Sequence, residues 1–367
     1  MEVINLMKKG IVFCIIFSLL ASFAVAQNEI YNELGSNGVI ISVPNGNENK
    51  TGFGGLYDTV FGRVQYYNVG AEIKYTLKLS PNGNFKNYSL NATDEPETAY
   101  LWFNPIQWMQ ILVGKNFSQA LPGSYMVVYD DYTNNGVYGD KYFGMNFLFD
   151  VIQGGFSIPV MTIDENYFTM KVHFGINGTF TLGGSDLNVG ATYKIVKDSF
   201  GIFASYGSIY DQFYIGGGYT FNGENIFNVS RFKFDFSDII PNFKKGKDNV
   251  ITLTGLYNGP ISVGGDMEVT FAENDSTILY AGALVAWDFL SNLTLKVTGS
   301  YAGEFLKSEN EKGAWSVDLY PRVIFNIGRH RLIGGMEFNF YETQRFVNAD
   351  SDVKFAFAIP ISWRYTL

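Results

Sequence analysis

The last fifteen residues of the chain, Val353 to Leu367, read VKFAFAIPISWRYTL. Apolar or aromatic side chains occupy every second position, and small, polar or charged residues stand between them. Successive side chains of a β-strand point to opposite faces of a sheet, so this pattern predicts a strand with one apolar face. The chain therefore ends in an amphipathic strand whose aromatic residues come last.

Other segments repeat this alternation with charged residues on the second face. The clearest are residues 69–79, 187–195, 261–271, 293–301, 315–327 and 332–340. A charged face cannot pack against a dry core, but it can line a wet lumen while the apolar face contacts lipid. The sequence thus predicts an all-β fold, a transmembrane antiparallel up-and-down β-barrel of about 16 strands, with roughly 14–18 allowed.

The start of the chain resembles an export signal. Lys8 and Lys9 precede the apolar run Ile11 to Phe23, and Ala24-Val25-Ala26 supplies small residues before Gln27. This pattern predicts a cleaved signal peptide over residues 1–26, and the run is short for the alternative of a membrane anchor. We expect a polar N-terminal lead-in over 27–50, with a first strand or a small plug as alternatives, and the barrel over 51–367.

Composition restricts the class further. Hydrophobic residues make up 47% and aromatic residues 17%, yet the mean hydropathy is only +0.02 and the formal net charge is −9. After Phe23 no apolar run reaches the length of a transmembrane helix, which excludes a helical membrane protein. Cys14, the only cysteine, lies in the predicted signal, so the exported chain forms no disulfide. A soluble secreted all-β protein remains the alternative by composition alone.

Connection lengths predict how the barrel lies in its membrane. Short turns are expected at Lys197-Asp198, Asn222-Gly223-Glu224, Asn258-Gly259-Pro260, Ser291-Asn292 and Gly328-Arg329. Longer polar loops are expected at 237–248, 303–313 and 341–352. Outer-membrane barrels have short periplasmic turns and long outer loops, which sets the orientation. The residues expected at the aromatic girdles are Trp108, Trp287, Trp315, Trp363 and Tyr365.

Two prolines do not fit a regular wall. Pro321 and Pro360 fall within predicted strands, where proline cannot donate to a hydrogen-bond ladder. A closed barrel has no free edge on which to place them. We therefore expect a β-bulge at these residues, or a position near the seam of the barrel.

The polar faces of the strands give the candidate pore-lining residues. They are Glu72, Lys74, Lys194, Arg231, Lys233, Asp235, Asp266, Glu268, Lys296, Asp318, Arg322, Glu337, Lys354 and Arg364. Facing rows of opposite sign would create a transverse field in a constriction, whereas pairing across strands would merely hold the wall together. Residues 116–140 are the best candidate for a loop folded into the lumen.

Catalytic and metal chemistry is poorly represented. Only His173 and His330 are present, and neither has a Ser or Asp at a recognisable catalytic spacing. Asp130-Asp131 and the group Asp94, Glu95 and Glu97 are interpreted as solvated loop charges in preference to a divalent-ion site. Gly216-Gly217-Gly218 lies within a predicted strand and is not a phosphate loop. We expect no enzyme, no metal, no cofactor and no nucleic-acid partner.

The signal, the cysteine-free alternating strands and the terminal strand together resemble bacterial outer-membrane β-barrel proteins. The resemblance implies an outer-membrane location, contact with outer-membrane lipid, and recognition of the terminal strand by the barrel-assembly machinery. The residues expected to form this assembly signal are Phe357, Ile359, Ile361, Trp363, Tyr365 and Leu367. The chain departs from the commoner pattern by ending in Leu in place of Phe.

One hairpin narrows the resemblance. Phe103 to Trp108, followed by Leu112 to Lys115, is similar to porin wall hairpins and to surface barrels of host-associated bacteria such as spirochaetes. We therefore expect a porin-like channel for passive diffusion of small polar solutes or ions. The alternative is a surface-exposed interaction protein or adhesin that binds a host ligand, and a barrel enzyme is disfavoured by the shortage of histidine.

Overall fold

The computed structural model describes most of the chain after the predicted signal. The described residues are 27–43, 50–82, 87–92, 98–115, 126–127, 133–134, 141–159, 173–195, 198–223, 248–271, 276–306, 313–342 and 354–366. Among them, no helix is long and apolar enough to cross a membrane.

Almost all of the described residues belong to β-strands. The strands of the N-terminal half are β1 (Gln27–Val43), β2 (Lys50–Tyr66), β3 (Val69–Asn82), β4 (Asn87–Ala92), β5 (Thr98–Ile106), β6 (Met109–Lys115), β7 (Met126–Val127), β8 (Thr133–Asn134), β9 (Lys141–Leu148), β10 (Ile152–Pro159) and β11 (His173–Leu182). The strands of the C-terminal half are β12 (Ser185–Lys194), β13 (Ser199–Gly207), β14 (Phe213–Gly223), β15 (Asp248–Tyr257), β16 (Ile261–Phe271), β17 (Ser276–Leu290), β18 (Leu293–Leu306), β19 (Trp315–Ile327), β20 (His330–Gly335), β21 (Glu337–Glu342) and β22 (Lys354–Thr366).

The sheet closes on itself. Each strand pairs antiparallel with its neighbours, and β1 pairs with β2 on one side and with the last strand, β22, on the other. β4 and β5 pair with different parts of β3, and β20 and β21 pair with different parts of β19, so each of these pairs fills one wall position. The result is an all-β antiparallel barrel of 18 wall strands, with β7 and β8 forming a separate ribbon.

The predicted fold class is confirmed, and the estimate of about 16 strands was too low. Part of the difference lies at the N-terminus, where residues 27–43 of the expected lead-in form β1. This strand completes the wall, which was one of the alternatives for that segment. Its outer face carries Asn28 and Asn32 beside Ile30 and Leu34, so the apolar alternation that marks the other strands is weak here.

The barrel has two distinct ends. One, the turn end, carries the tight turns at residues 67–68, 107–108, 183–184, 291–292 and 328–329. Gly183, Gly184 and Gly328 adopt positive φ angles of 60°, 90° and 57° there, which glycine tolerates without steric cost. The connections at 149–151, 208–212 and 258–260 lie at this end too, and the other end, the loop end, carries the connections between the opposite ends of the strands.

Two predicted turns lie at the wrong end. Of the first, Lys197-Asp198, the described residue Asp198 precedes β13 at the loop end, because the chain returns to the turn end only between β13 and β14. That missed turn, residues 208–212, is held by Asn258, whose Nδ2 donates to the carbonyl oxygens of Ile209 (2.8 Å) and Asp211 (2.7 Å).

The second, Asn222-Gly223-Glu224, is not a short turn, because Asn222 and Gly223 end β14 at the loop end. Gly223 pairs with Asp248, so β14 and β15 are direct neighbours and residues 224–247 connect them. The candidate pore-lining residues Arg231, Lys233 and Asp235 belong to this connection, which lies outside the described residues.

The two prolines lie at the same interruption of the wall. Pro321 on β19 faces Met336, whose N–H donates to the Pro321 oxygen at 3.0 Å, and proline returns no hydrogen bond. The missing hydrogen bond interrupts the ladder with β19 and so divides β20 from β21, and the register continues across the interruption without the expected bulge. Pro360 on β22 borders the same break, pairs with Val39 of β1, and lies at the seam beside a register shift, as expected.

Candidate functional site in the barrel lumen

The outer face of the wall is mainly apolar and the inner face is mainly polar. On the outer face large apolar side chains are exposed, for example Ile202 (47%), Leu253 (51%) and Leu319 (44%). On the inner face polar and charged side chains are buried, for example Glu268 at 2% exposure and Thr254 at 4%. An apolar exterior around a polar interior is the arrangement that a barrel in lipid requires.

Ionisable residues of the inner face are concentrated on one side of the barrel. We name strands β16 to β22 together with β1 to β3 the charged arc, since they are consecutive around the wall. Its inner-face ionisable residues are Glu33, Arg63, Glu72, Lys74, Asp266, Glu268, Lys296, Glu304, Asp318, Arg322, Arg331, Glu337 and Arg364. Both signs are present on this arc.

The charged arc is internally bonded. Arg364 Nε lies 3.0 Å from Glu33 Oε1 and forms an ion pair across the seam that joins the last strand to the first. On β16, Thr270 Oγ1 donates to Glu268 Oε1 at 3.3 Å. Contacts of this kind fix the ionisable side chains against the wall.

An aromatic platform positions one cation of the charged arc. The guanidinium of Arg63 lies 5.2 Å from the centre of the Trp102 ring, a cation–π contact. Tyr100 Oη donates to Glu72 Oε2 at 2.9 Å, so this carboxylate is hydrogen-bonded to the neighbouring tyrosine. The Trp102 ring covers Gly70, where a Cβ atom would overlap it. The glycine therefore makes room for the platform inside the lumen.

The opposite side of the lumen is uncharged between its ends. We name strands β6 and β9 to β14 the amide arc. The polar residues of its inner face are mostly amides and hydroxyls, namely Gln110, Asn146, Gln153, Asn177, Thr179, Asn188, Thr192, Ser205 and Thr220. Leu112, Phe203 and Tyr214 are buried on the same face. The inner-face charges of this arc in the described residues are Asp186 and Lys194, near the two ends of β12.

Glycines alternate with these polar residues along the amide arc. The inner-face glycines are Gly144, Gly155, Gly175, Gly190, Gly201, Gly216 and Gly218. A chain of side-chain hydrogen bonds joins β11 to β12. Asn177 Nδ2 donates to Thr179 Oγ1 (3.3 Å), and Thr179 Oγ1 donates to Asn188 Oδ1 (2.8 Å). Neighbouring side chains cover some of these glycines, as the Phe203 ring covers Gly190 and Tyr214 Oη covers Gly216.

A ribbon from the β6–β9 connection reaches the far wall. β7 pairs with β8 and approaches β15 to within 8 Å between Cα atoms. β6 and β15 are separated by seven steps around the wall. Most of residues 116–140 lie outside the described residues, and their folding into the lumen stays a prediction.

Comparison with known proteins defines the fold. No protein-family model matches the sequence, and no curated protein matches it. OccAB4 of Acinetobacter baumannii is similar with a TM-score of 0.57 at 10% identity, over 93% of this chain and 98% of that chain. OccK2 (OpdF) of Pseudomonas aeruginosa gives a TM-score of 0.55 at 10% identity over the same shares, 93% and 98%.

The chain has the fold of a porin-like outer-membrane β-barrel. An anion-selective porin from Comamonas acidovorans also aligns, at 11% identity over 93% of this chain and 100% of that chain, but its TM-score of 0.48 supports no argument. At these identities the likeness establishes the fold alone.

The candidate pore-lining residues are distributed as follows. Glu72, Lys74, Asp266, Glu268, Lys296, Asp318, Arg322, Glu337 and Arg364 lie on the inner face of the charged arc. Lys194 and Lys354 occupy inner-face positions by register, whereas Arg231, Lys233 and Asp235 lie outside the described residues. That any of them lines a conducting pore remains a prediction.

Several inner-face ionisable residues were missed, among them Glu33, Arg63, Asp186, Glu304 and Arg331. Glu33 lies in the segment taken as a lead-in, and Glu304 and Arg331 lie at the edges of segments taken as connections. Arg63 lies on β2, where Phe61 also faces inward and obscures the alternation. Most of the described inner-face charges, of both signs, lie on the charged arc, and the transverse field stays a prediction.

The expected girdle residues lie at the two ends. Trp108, Trp287, Trp363 and Tyr365 lie at the turn end, and Trp315 begins β19 at the loop end, where its Nε1 donates to Glu342 Oε2 at 2.7 Å. His330 begins β20, accepts a hydrogen bond from Trp363 Nε1 at 3.1 Å, and packs on Tyr365. It therefore belongs to the aromatic contacts of the terminal strand.

His173, the other histidine, begins β11 and pairs with Ser157 and Lys194 in the ladder. Among the described residues, no group of three His, Cys, Asp or Glu side chains could hold a metal ion. The assembly-signal residues Phe357, Ile359, Ile361, Trp363 and Tyr365 lie on one face of β22, and Leu367 is outside the described residues.

Proposed function

We propose that the protein is an outer-membrane channel through which small polar solutes and ions diffuse passively. The supporting observation is a closed wall of 18 strands whose inner face is polar. Barrels of about eight strands are filled by their own side chains, whereas barrels of about 16–18 strands leave an aqueous channel. A lumen of this width with amide and charged walls suits hydrated solutes.

The ribbon of β7 and β8 supports a narrowed channel. Because it approaches β15 from the opposite wall, it reduces the cross-section that a solute meets. A solute in the remaining space passes close to the wall, where side-chain chemistry can select among solutes. The selectivity among solutes is then determined by the side chains of the charged arc and the amide arc.

The orientation follows from the same proposal. The turn end faces the periplasm, and the loop end, with the connections on either side of β7–β8, faces outward. The predicted signal over residues 1–26 directs export, and the barrel-assembly machinery recognises β22. The adhesin alternative and its host ligand depend on the loop end, much of which lies outside the described residues, and they remain predictions.

Conductance of the purified protein in a planar lipid bilayer tests the proposal. We expect steady current steps that grow with salt concentration, because ions move through a water-filled lumen. A barrel that is folded, as judged by circular dichroism and resistance to protease, but passes no current would contradict the channel. Binding to host matrix by such a silent barrel would favour the adhesin.

A further inference from the structure

Two neighbouring strands carry polar residues on the outer face of the wall. Asp58 on β2 and Asn32 on β1 are half-buried there, beside the exposed side chains of Val60 (43%) and Leu34 (38%). Asp58 pairs with Leu34 and Val60 pairs with Asn32, so these residues are adjacent across the two strands. We name them, together with Gly62 on β2, the polar strip.

The polar strip departs from the chemistry of the other described strands. At the same separation from the turn end as Asp58, β19 carries Leu319 and β14 carries Phe221, which are 44% and 43% exposed. Apart from tyrosine and tryptophan, the polar outer-face residues of those other strands lie near strand ends, as Asn249 and Thr277 do. Within the described wall, the strip is therefore a local exception to the apolar exterior.

Lipid is a poor environment for the polar strip. A carboxylate in contact with hydrocarbon is poorly solvated, and the residues directly opposite Asp58 are Leu34 on β1 and Leu77 on β3, which cannot donate a hydrogen bond to it. The negative charge would also be repelled by the headgroups of anionic lipids. A protein surface can supply hydrogen-bond donors, and Gly62 allows that surface to approach the wall closely because glycine has no side chain.

The chemistry of the strip is complementary to itself. The amide of Asn32 provides N–H donors, and the carboxylate of Asp58 provides acceptors. A second copy of the chain spans the same membrane in the same orientation, so a two-fold axis along the membrane normal brings two strips face to face. A closed ring of three or more copies would need two different faces, whereas the strip is a single narrow face on two adjacent strands.

We propose that the protein forms a two-fold symmetric dimer in the membrane, with the polar strips of two copies in contact. Donors of one strip then pair with acceptors of the other, and the two carboxylates are removed from lipid. The lumens of the two barrels stay separate, because the interface lies on their outer faces. The inference is therefore independent of the proposed channel function.

Cross-linking of single cysteines tests the dimer. Val60→Cys places a thiol in the strip, and Val189→Cys is the matched control, since Val189 is an outer-face valine of β12 with 38% exposure. Both variants are made on a Cys14→Ala background and are treated in the membrane with a short bifunctional maleimide. A two-fold axis places Val60 near the same residue of the second copy, so its yield of cross-linked dimer should be at least about fivefold that of Val189.

Removal of the polar groups tests their role in association. Sedimentation equilibrium in detergent should give the wild type twice the mass of one chain. The double variant Asn32→Leu, Asp58→Leu should have an association constant about tenfold lower, as expected for the loss of hydrogen bonds between membrane proteins. Leucine suits a lipid-facing position, so this variant should keep the fold, which circular dichroism checks. The control Thr277→Leu removes an outer-face hydroxyl of β17 and should leave the association constant unchanged.

A wild type that is monomeric or trimeric, unchanged association of the double variant, or equal cross-linking at Val60 and Val189 would overturn the inference. Cross-linking of Val60→Cys mainly to a different membrane protein would overturn it as well, because the strip would then bind another partner. Should the double variant fail to fold, the cross-linking comparison decides alone. A monomer that conducts ions contradicts only this inference, and a dimer that passes no current contradicts only the channel proposal.

Discussion

The outer faces of β13 in the amide arc and β19 in the charged arc have the same apolar chemistry, whereas the inner faces of these two strands differ. Ile202 and Leu319 are exposed apolar residues on the outside of these two strands. Inside, β13 presents Ser205, whereas β19 presents Asp318 and Arg322. The outside must be apolar wherever it contacts lipid, so only the inner half of the alternation is free to vary with function. Under the proposed channel function, solute selectivity is therefore encoded in every second residue.

The largest expected effect comes from placing a charge on the shared outer face. Ile202→Arg and Leu319→Arg should each lower the free energy of unfolding by about 2–4 kcal/mol, because arginine near the bilayer midplane is poorly solvated. The measurement is guanidinium unfolding of the protein in phospholipid vesicles. The control, Thr192→Arg on the inner face of β12, should cost less than about 1 kcal/mol because water solvates the new charge. Equal losses at the inner and outer positions would refute the common lipid-facing exterior.

A smaller effect separates the two inner faces. Asp318→Asn combined with Glu268→Gln removes two carboxylates from the charged arc, and the permeability ratio of cations to anions should fall about two- to fivefold. One unit charge a few ångströms from an ion in water contributes about 1 kcal/mol, which sets this range. Reversal potentials in a potassium chloride gradient measure the ratio. The control, Gln153→Leu on the amide arc, should leave the permeability ratio unchanged. Unaltered reversal potentials in the double variant would show that Asp318 and Glu268 do not line the pore.

The smallest effect concerns the side-chain contacts between neighbouring strands within each arc. The coupling free energy between Glu33 and Arg364, from a double-mutant cycle, should be about 0.5–1 kcal/mol and should diminish in 1 M salt, since Arg364 is 45% exposed. The hydrogen bond from Thr179 to Asn188 on the amide arc, 2.8 Å long, should show a coupling that salt leaves unchanged. A salt-insensitive Glu33–Arg364 coupling would contradict the ionic character of the seam.

The strands that the sequence identified have clear contrast between their faces. On β16 and β19, apolar residues alternate with Asp266, Glu268, Asp318 and Arg322, so the period of two is unmistakable. On β13 the inner position Phe203 is apolar like its outer neighbours, because its ring packs over Gly190 and not against water. Local alternation cannot reveal such a strand.

The site was only partly predictable for a related reason. Face assignment follows from alternation, so the inner-face carboxylates of β16 and β19 could be identified along with the fold. Their grouping on one arc depends on strand order and on β1 and β2, which bring Glu33 and Arg63 to that arc. The aromatic platform under Arg63 depends on contacts across three strands, which no single segment encodes.

A nitroxide scan along β11 tests the central claim most directly. Single cysteines introduced from Phe174 to Leu182 need no other substitution, because Cys14 in the predicted signal is the only native cysteine. Labels at Phe174, Ile176 and Phe180 should collide mainly with oxygen dissolved in the lipid, and labels at Asn177 and Thr179 mainly with a water-soluble nickel chelate. Accessibility to the chelate that peaks at the apolar positions, or that shows no period of two, would contradict a barrel with lipid outside and water within.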